Sequence, residues 1–190
     1  MKPNVRILGI DDAPFRFGDA ETEVVGVLVR APNYVEGVMT TRVAVDGRDA
    51  TPRLAAMVRR SRFREAIVLL MIDGAALGGF NVVDIQALHE ETRIPVVTVT
   101  RREPDQASIE RALRARFEDG EERLAVLRRQ GLTEVPTAHK PLWVSCAGIG
   151  VREASAAIRA CTVRGALPEP VRIAHIVATA IKRGESRGRA

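Results

Sequence analysis

Aromatic residues are scarce in this chain: one Trp, one Tyr and five Phe make up 4% of its 190 residues. That scarcity argues against single-strand binding by rows of stacked bases, which needs a ring for each base. Cysteine is scarcer still. Cys146 and Cys161 lie outside any metal-like spacing and read as reduced core residues of a cytoplasmic protein. The three histidines, His89, His139 and His175, form no pair with metal-ligand spacing. No apolar run approaches the ~20 residues that cross a bilayer, and no stretch reads as a signal peptide.

What is present describes a globular chain. Hydrophobic residues make up 46%, enough for one domain with a substantial core. The net charge of +5 comes from 29 basic and 24 acidic residues. A basic surface favours anionic partners, of which nucleic acid is the commonest, although so modest an excess also serves ion-pair networks.

The pattern is organised around residues 67–85, IVLLMIDGAALGGFNVVDI. Ile67 to Ile72 is a continuous apolar run ending in Asp73-Gly74, which predicts a strand buried on both faces. An acid at the carboxyl end of such a strand sits where open α/β sheets place their ligands, and equally where Asp-Gly makes an ordinary turn. A second apolar strand, Val5 to Ile10, runs into Asp11-Asp12. Two more strands, Glu23 to Arg30 and Val38 to Val45, follow closely enough to form an antiparallel meander. Asp46 and Asp49 close the third strand, and Thr51-Pro52 predicts a helix start with Thr51 as N-cap. Asn81 to Thr92 and Asp105 to Arg129 read as helices, the second interrupted at Gly120. Between them Pro95 to Thr100 reads as a buried strand, Leu142 to Ser145 as a short one, and Val151 to Cys161 and Pro168 to Arg183 as helices. The order β-β-β-α-β-α-β-α with further helices is the ribonuclease H-like plan: an α/β mixed sheet, an antiparallel three-strand meander plus parallel strands, flanked by helices. One such domain is expected over 1–183, with a flexible basic tail at 184–190.

On this plan Asp11 and Asp73 end strands that can be neighbours ~4.8 Å apart. Carboxylates that close repel unless protonated or bridged by a cation, and hard oxygen ligands suit Mg²⁺ or Mn²⁺, ions that assist attack on a phosphodiester. Asp46 and Asp49 are further candidates for the same metal. Arg101 and Arg102 follow the Pro95 strand, and Lys140 lies in a loop beside His139, where either of that last pair can touch a phosphate. His89 reads as solvated, and His175 as a satisfied, partly buried side chain and not a ligand. Ser145 and Cys146 have no assignable base, and Gly78-Gly79 matches no phosphate-binding fingerprint.

LGIDDAPF, DGAALGGFNVVDI and RGALPEPVRIAH resemble hallmarks of the mainly archaeal domain-of-unknown-function family ninety-nine, and through it the chain resembles the endonuclease V superfamily along nearly its whole length. Gly9-Ile10-Asp11 is similar to that superfamily's first strand, Leu70 to Gly74 to its apolar strand ending in Asp-Gly, and Leu142 to Ser145 with Pro168-Glu169-Pro170 to its last strand and last helix start. Tyr34-Val35-Glu36-Gly37 is similar to its Tyr-Ile-Pro-Gly wedge, with Glu36 in place of Pro. The resemblance implies Mg²⁺-dependent cleavage of DNA or RNA near deaminated bases, with Asp11 and Asp73 catalytic and Tyr34 against nucleic acid. It also implies a third acid after the third strand, for which Asp49, just before the helix start, is the better match than Asp46. Arg101 falls near the family's lysine, which implies a phosphate contact there, with Arg102 beside it against nucleic acid, and Gly148-Ile149-Gly150 replaces the family's Gly-His-Arg. The expected function is a metal-dependent nuclease or phosphodiesterase acting on nucleic acid. A nucleic-acid-binding protein without chemistry and a homodimeric interaction protein are the alternatives.

Overall fold

A computed structural model of the chain describes residues 5–16 and 18–186. Its strands are β1 (Arg6–Asp12), β2 (Glu21–Arg30), β3 (Tyr34–Ala44), β4 (Leu69–Asp73), β5 (Ala76–Leu77), β6 (Asn81–Val82), β7 (Val96–Thr100), β8 (Thr133–Val135) and β9 (Leu142–Ala147). Its α-helices are α1 (Ala50–Arg60), α2 (Ile85–Thr92), α3 (Gln106–Arg116), α4 (Gly120–Gln130), α5 (Val151–Ala160) and α6 (Glu169–Arg183). Seven strands form one sheet in the order β3-β2-β1-β4-β7-β9-β8. β1, β2 and β3 are the antiparallel meander, and β4 and β7 run parallel to β1. The expected mixed, ribonuclease H-like sheet is therefore present. It extends beyond the parallel strands through β9, antiparallel to β7, and β8, antiparallel to β9.

Strand periodicity divides the core into two layers. Leu8, Ile10, Leu70 and Ile72 point to one face and pack with Leu54, Ile85 and Leu88 of α1 and α2. Ile7, Met71, Val97 and Val99 point to the other and pack with Ala154, Ile158 and Val171 of α5 and α6. Both faces of the central strands are covered, which explains their unbroken apolar runs. Gly9 lies on the second face, where α6 begins. A Cβ at Gly9 would sit 2.0 Å from the carbonyl carbon of Pro170 and 2.1 Å from its oxygen. Helix α6 thus rests directly on the β1 backbone, and glycine is the residue that permits it.

Several local expectations change. Helix α1 starts at Ala50, behind Asp49, because the Ala50 N–H donates to Asn81 Oδ1 at 2.9 Å. The Thr51 hydroxyl instead accepts from the Asp84 N–H at 2.9 Å. Asn81 to Thr92 is not one helix: β5 and β6 form a small antiparallel hairpin, and Asp84 caps α2 by accepting from the N–H groups of Gln86 and Ala87. The buried Asn81 side chain holds that hairpin, also donating to Ala44 O at 2.9 Å and Asp49 Oδ1 at 2.8 Å. The long helical run is interrupted at Gly120 as expected: α3 ends at Arg116 and Gly120 opens α4, where a Cβ would lie 2.4 Å from Leu113 O. His89 is half-buried, not solvated. Its Nδ1 lies 2.9 Å from Ile94 O, and its ring packs where a Cβ of Gly148 would be. No helix among the described residues is long and apolar enough to cross a membrane. Of the expected tail, 184–186 follow α6, and 187–190 lie outside the described residues.

Gly9→Ala is expected to destabilise the fold by about 1–3 kcal/mol, the usual effect of forcing atoms into a filled core. Urea unfolding checks it, and an unchanged midpoint would contradict the close helix-strand contact.

Candidate metal centre

The β1–β4 register runs Ile7↔Leu69 through Ile10↔Ile72. One step further sets Asp11 beside Asp73 on the face shared by Gly9 and Met71. Helix α6 supplies the third group. Pro170 seats the helix on Gly9, and His175 comes five residues later, ~7.5 Å along the axis. Asp11 comes two residues after Gly9, ~6.6 Å along the strand. The imidazole consequently arrives over the carboxylate: His175 Nδ1 lies 2.8 Å from Asp11 Oδ2. The Asp12 N–H donates to Asp11 Oδ1 at 2.9 Å. One ligand atom from each of Asp11, Asp73 and His175 lies within 4.8 Å of the others.

The charges are unbalanced. Burial, then the nearby Asp11 carboxylate, pushes Asp73 up to about 6, while Arg101 and His175 act in the opposite sense. Asp12 lies on the opposite face of β1 and accepts from the Gly78 N–H at 3.0 Å. Burial and then Asp11 push it up to about 7. The hydrogen bond to Asp11 raises His175 above its ordinary value. Three carboxylates on one partly dehydrated rim favour protons or a cation. Two carboxylates with an imidazole form a donor set that fits a divalent first-row or alkaline-earth ion.

The structure does not bring Asp46 or Asp49 into this group. Asp49 Oδ1 accepts from the Ala44 N–H at 3.0 Å and from Asn81, and Oδ2 pairs with Arg53 Nε at 3.1 Å. Burial pushes Asp49 up, but these bonds outweigh it and hold the carboxyl below its ordinary value. Asp46 Oδ1 accepts from the Phe80 N–H at 2.8 Å and Oδ2 pairs with Arg116 at 3.3 Å. Both acids tie the β3–α1 corner to its neighbours. His175, read from sequence as satisfied and not a ligand, is satisfied by Asp11 itself. The signal for it was the Gly9–Pro170 contact, which no local pattern displays.

Arg101 and Arg102 follow β7 at the rim where Asp73 ends β4. Lys140 approaches the same rim, because Thr100 pairs with Trp143 in the antiparallel β9. Tyr34 is elsewhere. It pairs with Arg30, which pairs with Arg6 at the start of β1, about 17 Å of strand from Asp11. Tyr34 is 61% exposed, with the Arg30 guanidinium 4.7 Å from its ring centroid. Glu36 pairs with Arg6 and Arg30.

A family model described as Endonuclease dU matches residues 3–182. A UPF0215 protein of Methanothermobacter thermautotrophicus is 44% identical over 191 residues, covering all of this chain and 94% of the relative. The crystal structure of a protein of unknown function from Archaeoglobus fulgidus is similar with a TM-score of 0.84 at 42% identity, covering 93% of this chain and 98% of that one. Ciona intestinalis endonuclease V, in complex with DNA containing an inosine, shares the fold with a TM-score of 0.59 at 14% identity, over 90% of this chain and 83% of that one. The expected resemblance to endonuclease V-like proteins is thereby shown, as is the archaeal family.

The raised carboxyls set a pH dependence. Folding raises Asp73 and Asp12 above the ordinary 3.8, so the folded state keeps protons that the unfolded chain has lost. Stability without divalent ions therefore falls as pH rises from about 4 toward 7, and the raised His175 adds to the loss above that. Asp73→Asn removes one of the repelling charges. In chelator near pH 8 it is expected to melt about 2–4 °C above the wild type, the shift that ~1 kcal/mol gives a chain of this size. Near pH 4 the two should coincide. Thermal melts across this range check it, and a variant no more stable than wild type near pH 8 would contradict the crowding of charge.

Proposed function

The chain belongs to the Endonuclease dU family, and from that premise we propose that it is a metal-dependent nuclease acting on nucleic acid. The observation that carries this reading is the convergence of Asp11, Asp73 and His175 within 4.8 Å at the rim of the sheet. The name of the matched family and the DNA held by the Ciona endonuclease V support it. In this proposal Asp11, Asp73 and His175 hold a divalent cation. The oxygen pair suits Mg²⁺ and the added imidazole favours Mn²⁺. When bound, such an ion supplies positive charge against the phosphodiester and makes water a better nucleophile.

The chain's own residues arrange the rest. Asp11 fixes the His175 ring through Nδ1, and the Asp12 N–H holds the other oxygen of Asp11 in place. Arg101, near enough to pull Asp73 down, meets a phosphate as a planar fork. Arg102 and Lys140 extend the positive rim along the backbone of the strand, where contacts position a nucleic acid without reading its sequence. Asp46 and Asp49 take a structural role.

Asp73→Asn is expected to lower Mg²⁺- or Mn²⁺-dependent cleavage of dU-containing or inosine-containing strands by about a thousandfold, near 4 kcal/mol of transition-state stabilisation. His175→Ala should also impair it. Asp46→Asn and Asp49→Asn should cost stability and leave the turnover of the folded protein unchanged. Gel assays with chelator controls check this set. Full turnover by Asp73→Asn, or loss of turnover in folded Asp49→Asn, would contradict the assignment. Arg101→Ala is expected to weaken binding of all strands alike and to flatten its salt dependence by about one phosphate contact, as titrations at several salt concentrations would show.

A further inference from the structure

The seven-stranded sheet ends in two unlike edges, β8 and β3. β8 is three residues long and offers little to another strand. β3 is eleven residues long and holds no Pro and no Lys, the residues that natural edges use against association. Its one irregularity is a register shift opposite Leu28 and Val29, which leaves Glu36 as a bulge. From Gly37 to Ala44 the pairing with β2 is regular.

The phase of that ladder decides which backbone groups face outward. The Val45 N–H donates to Ala20 O at 3.0 Å, so those two residues form a hydrogen-bonded pair. Antiparallel ladders alternate. Gly37, Met39, Thr41 and Val43 therefore turn their N–H and C=O groups to β2, and Val38, Thr40, Arg42 and Ala44 turn theirs away. The β3–α1 corner meets the last of these. The Ala44 N–H donates to Asp49 Oδ1 at 3.0 Å, and Ala44 O accepts from the Gly47 N–H at 3.1 Å and from Asn81 Nδ2 at 2.9 Å. Among the described residues, nothing meets the outward groups of Val38, Thr40 and Arg42. Their side chains are exposed too, on the sheet face where α6 lies over β1 and β2.

Outward residues spaced evenly about Thr40 are self-complementary. A two-fold axis normal to the sheet at Thr40 sets Thr40 of one copy opposite Thr40 of another, and Val38 opposite Arg42 on either side. Each pair exchanges N–H···O bonds in both directions, so every outward group on both edges is met. The Glu36 bulge and the occupied Ala44 bound the ladder at its two ends. Charge permits the approach. Arg42 is the charged side chain of the stretch 37–44, and it pairs with Glu23 at 2.9 Å. Two chains of net charge +5 thus meet at a neutral seam. Val38, 50% exposed, comes under the aliphatic stem of Arg42 from the other copy, and Thr beside Thr is a favourable cross-strand pair. We propose that β3 pairs with β3 of a second copy about Thr40, joining the two sheets edge to edge. The β1 strands of the two copies then run antiparallel, roughly 24 Å apart, with both acidic centres on one face of the joint sheet. The pairing is independent of the nuclease reading.

Sedimentation of the full chain over about a hundredfold range of concentration reads the mass. Wild type should pass from one chain to two as concentration rises. Thr40→Lys, which sets like charges against each other on the axis, should remain a single chain with the wild-type melt. Thr40→Pro removes an N–H that β2 does not use and should remain single as well. Thr40→Cys tests the register. Residues opposed in a hydrogen-bonded pair have Cα atoms about 5.5 Å apart, within reach of a disulfide. Under mild oxidation that variant should run as a linked dimer on a non-reducing gel. Arg42→Cys should not, because its two copies lie roughly 14 Å apart along the seam. Wild type, with Cys161 buried and Cys146 half-buried, is the blank. A wild type that stays one chain throughout overturns the proposal. So does a dimer that survives Thr40→Lys, or an Arg42→Cys protein that links as readily as Thr40→Cys.

Discussion

The parallel pairing of β1 with β4 is the constraint on which this molecule turns. In-register pairing up to Ile10↔Ile72 leaves Asp11 and Asp73 abreast at the rim, on the face that α6 covers. Side chains of equal charge held that close, under partial burial, are unfavourable in the folded state. The surrounding structure over-determines the arrangement. Apolar layers on both faces lock the register, since a slip of one residue would turn Ile7, Gly9 and Met71 to the wrong side. Helix α6 then adds the imidazole through a contact that only glycine permits. Local instability concentrated in this way is what functional sites show.

The two faces of the rim carry different chemistry. On the α6 face lie Asp11, Asp73 and His175, where titratable groups concentrate. On the other side lie Asp12 and the β5–β6 hairpin. The hairpin is tied to the rim through Asp12 and Gly78 and to the β3–α1 corner through Asn81. The short segment from Gly74 to Asp84 therefore joins the rim to the β3–α1 corner. Arg101, Arg102 and Lys140 stand at the same end of the sheet, so the positive charge that suits a phosphate backbone lies next to the negative charge that suits a cation.

Much of this was legible in the residues. The strands at Val5, Ile67 and Pro95 announced themselves because strands covered on both faces must be continuously apolar, and Asp11 and Asp73 stood out because each ends such a run. Other features were not legible, for physical reasons. Asp46 and Asp49 look like Asp11 and Asp73 in one dimension, but their oxygens are taken by Phe80, Arg116, Ala44, Asn81 and Arg53, partners that only the folded corner provides. His175 lies 164 positions from Asp11, and its role depends on where Pro170 meets Gly9. The β5–β6 hairpin has two-residue strands, too short for any periodicity. Tyr34 was singled out by resemblance to a wedge, yet it sits at the other end of β1 from the acids.

The central claim is that Asp11, Asp73 and His175 form a cation site. Crystals grown without divalent ions and then soaked in Mn²⁺ test it most directly through the anomalous difference map. The account predicts one dominant peak among Asp11, Asp73 and His175. An empty rim at saturating Mn²⁺, or a dominant peak at Asp46 and Asp49, would contradict it.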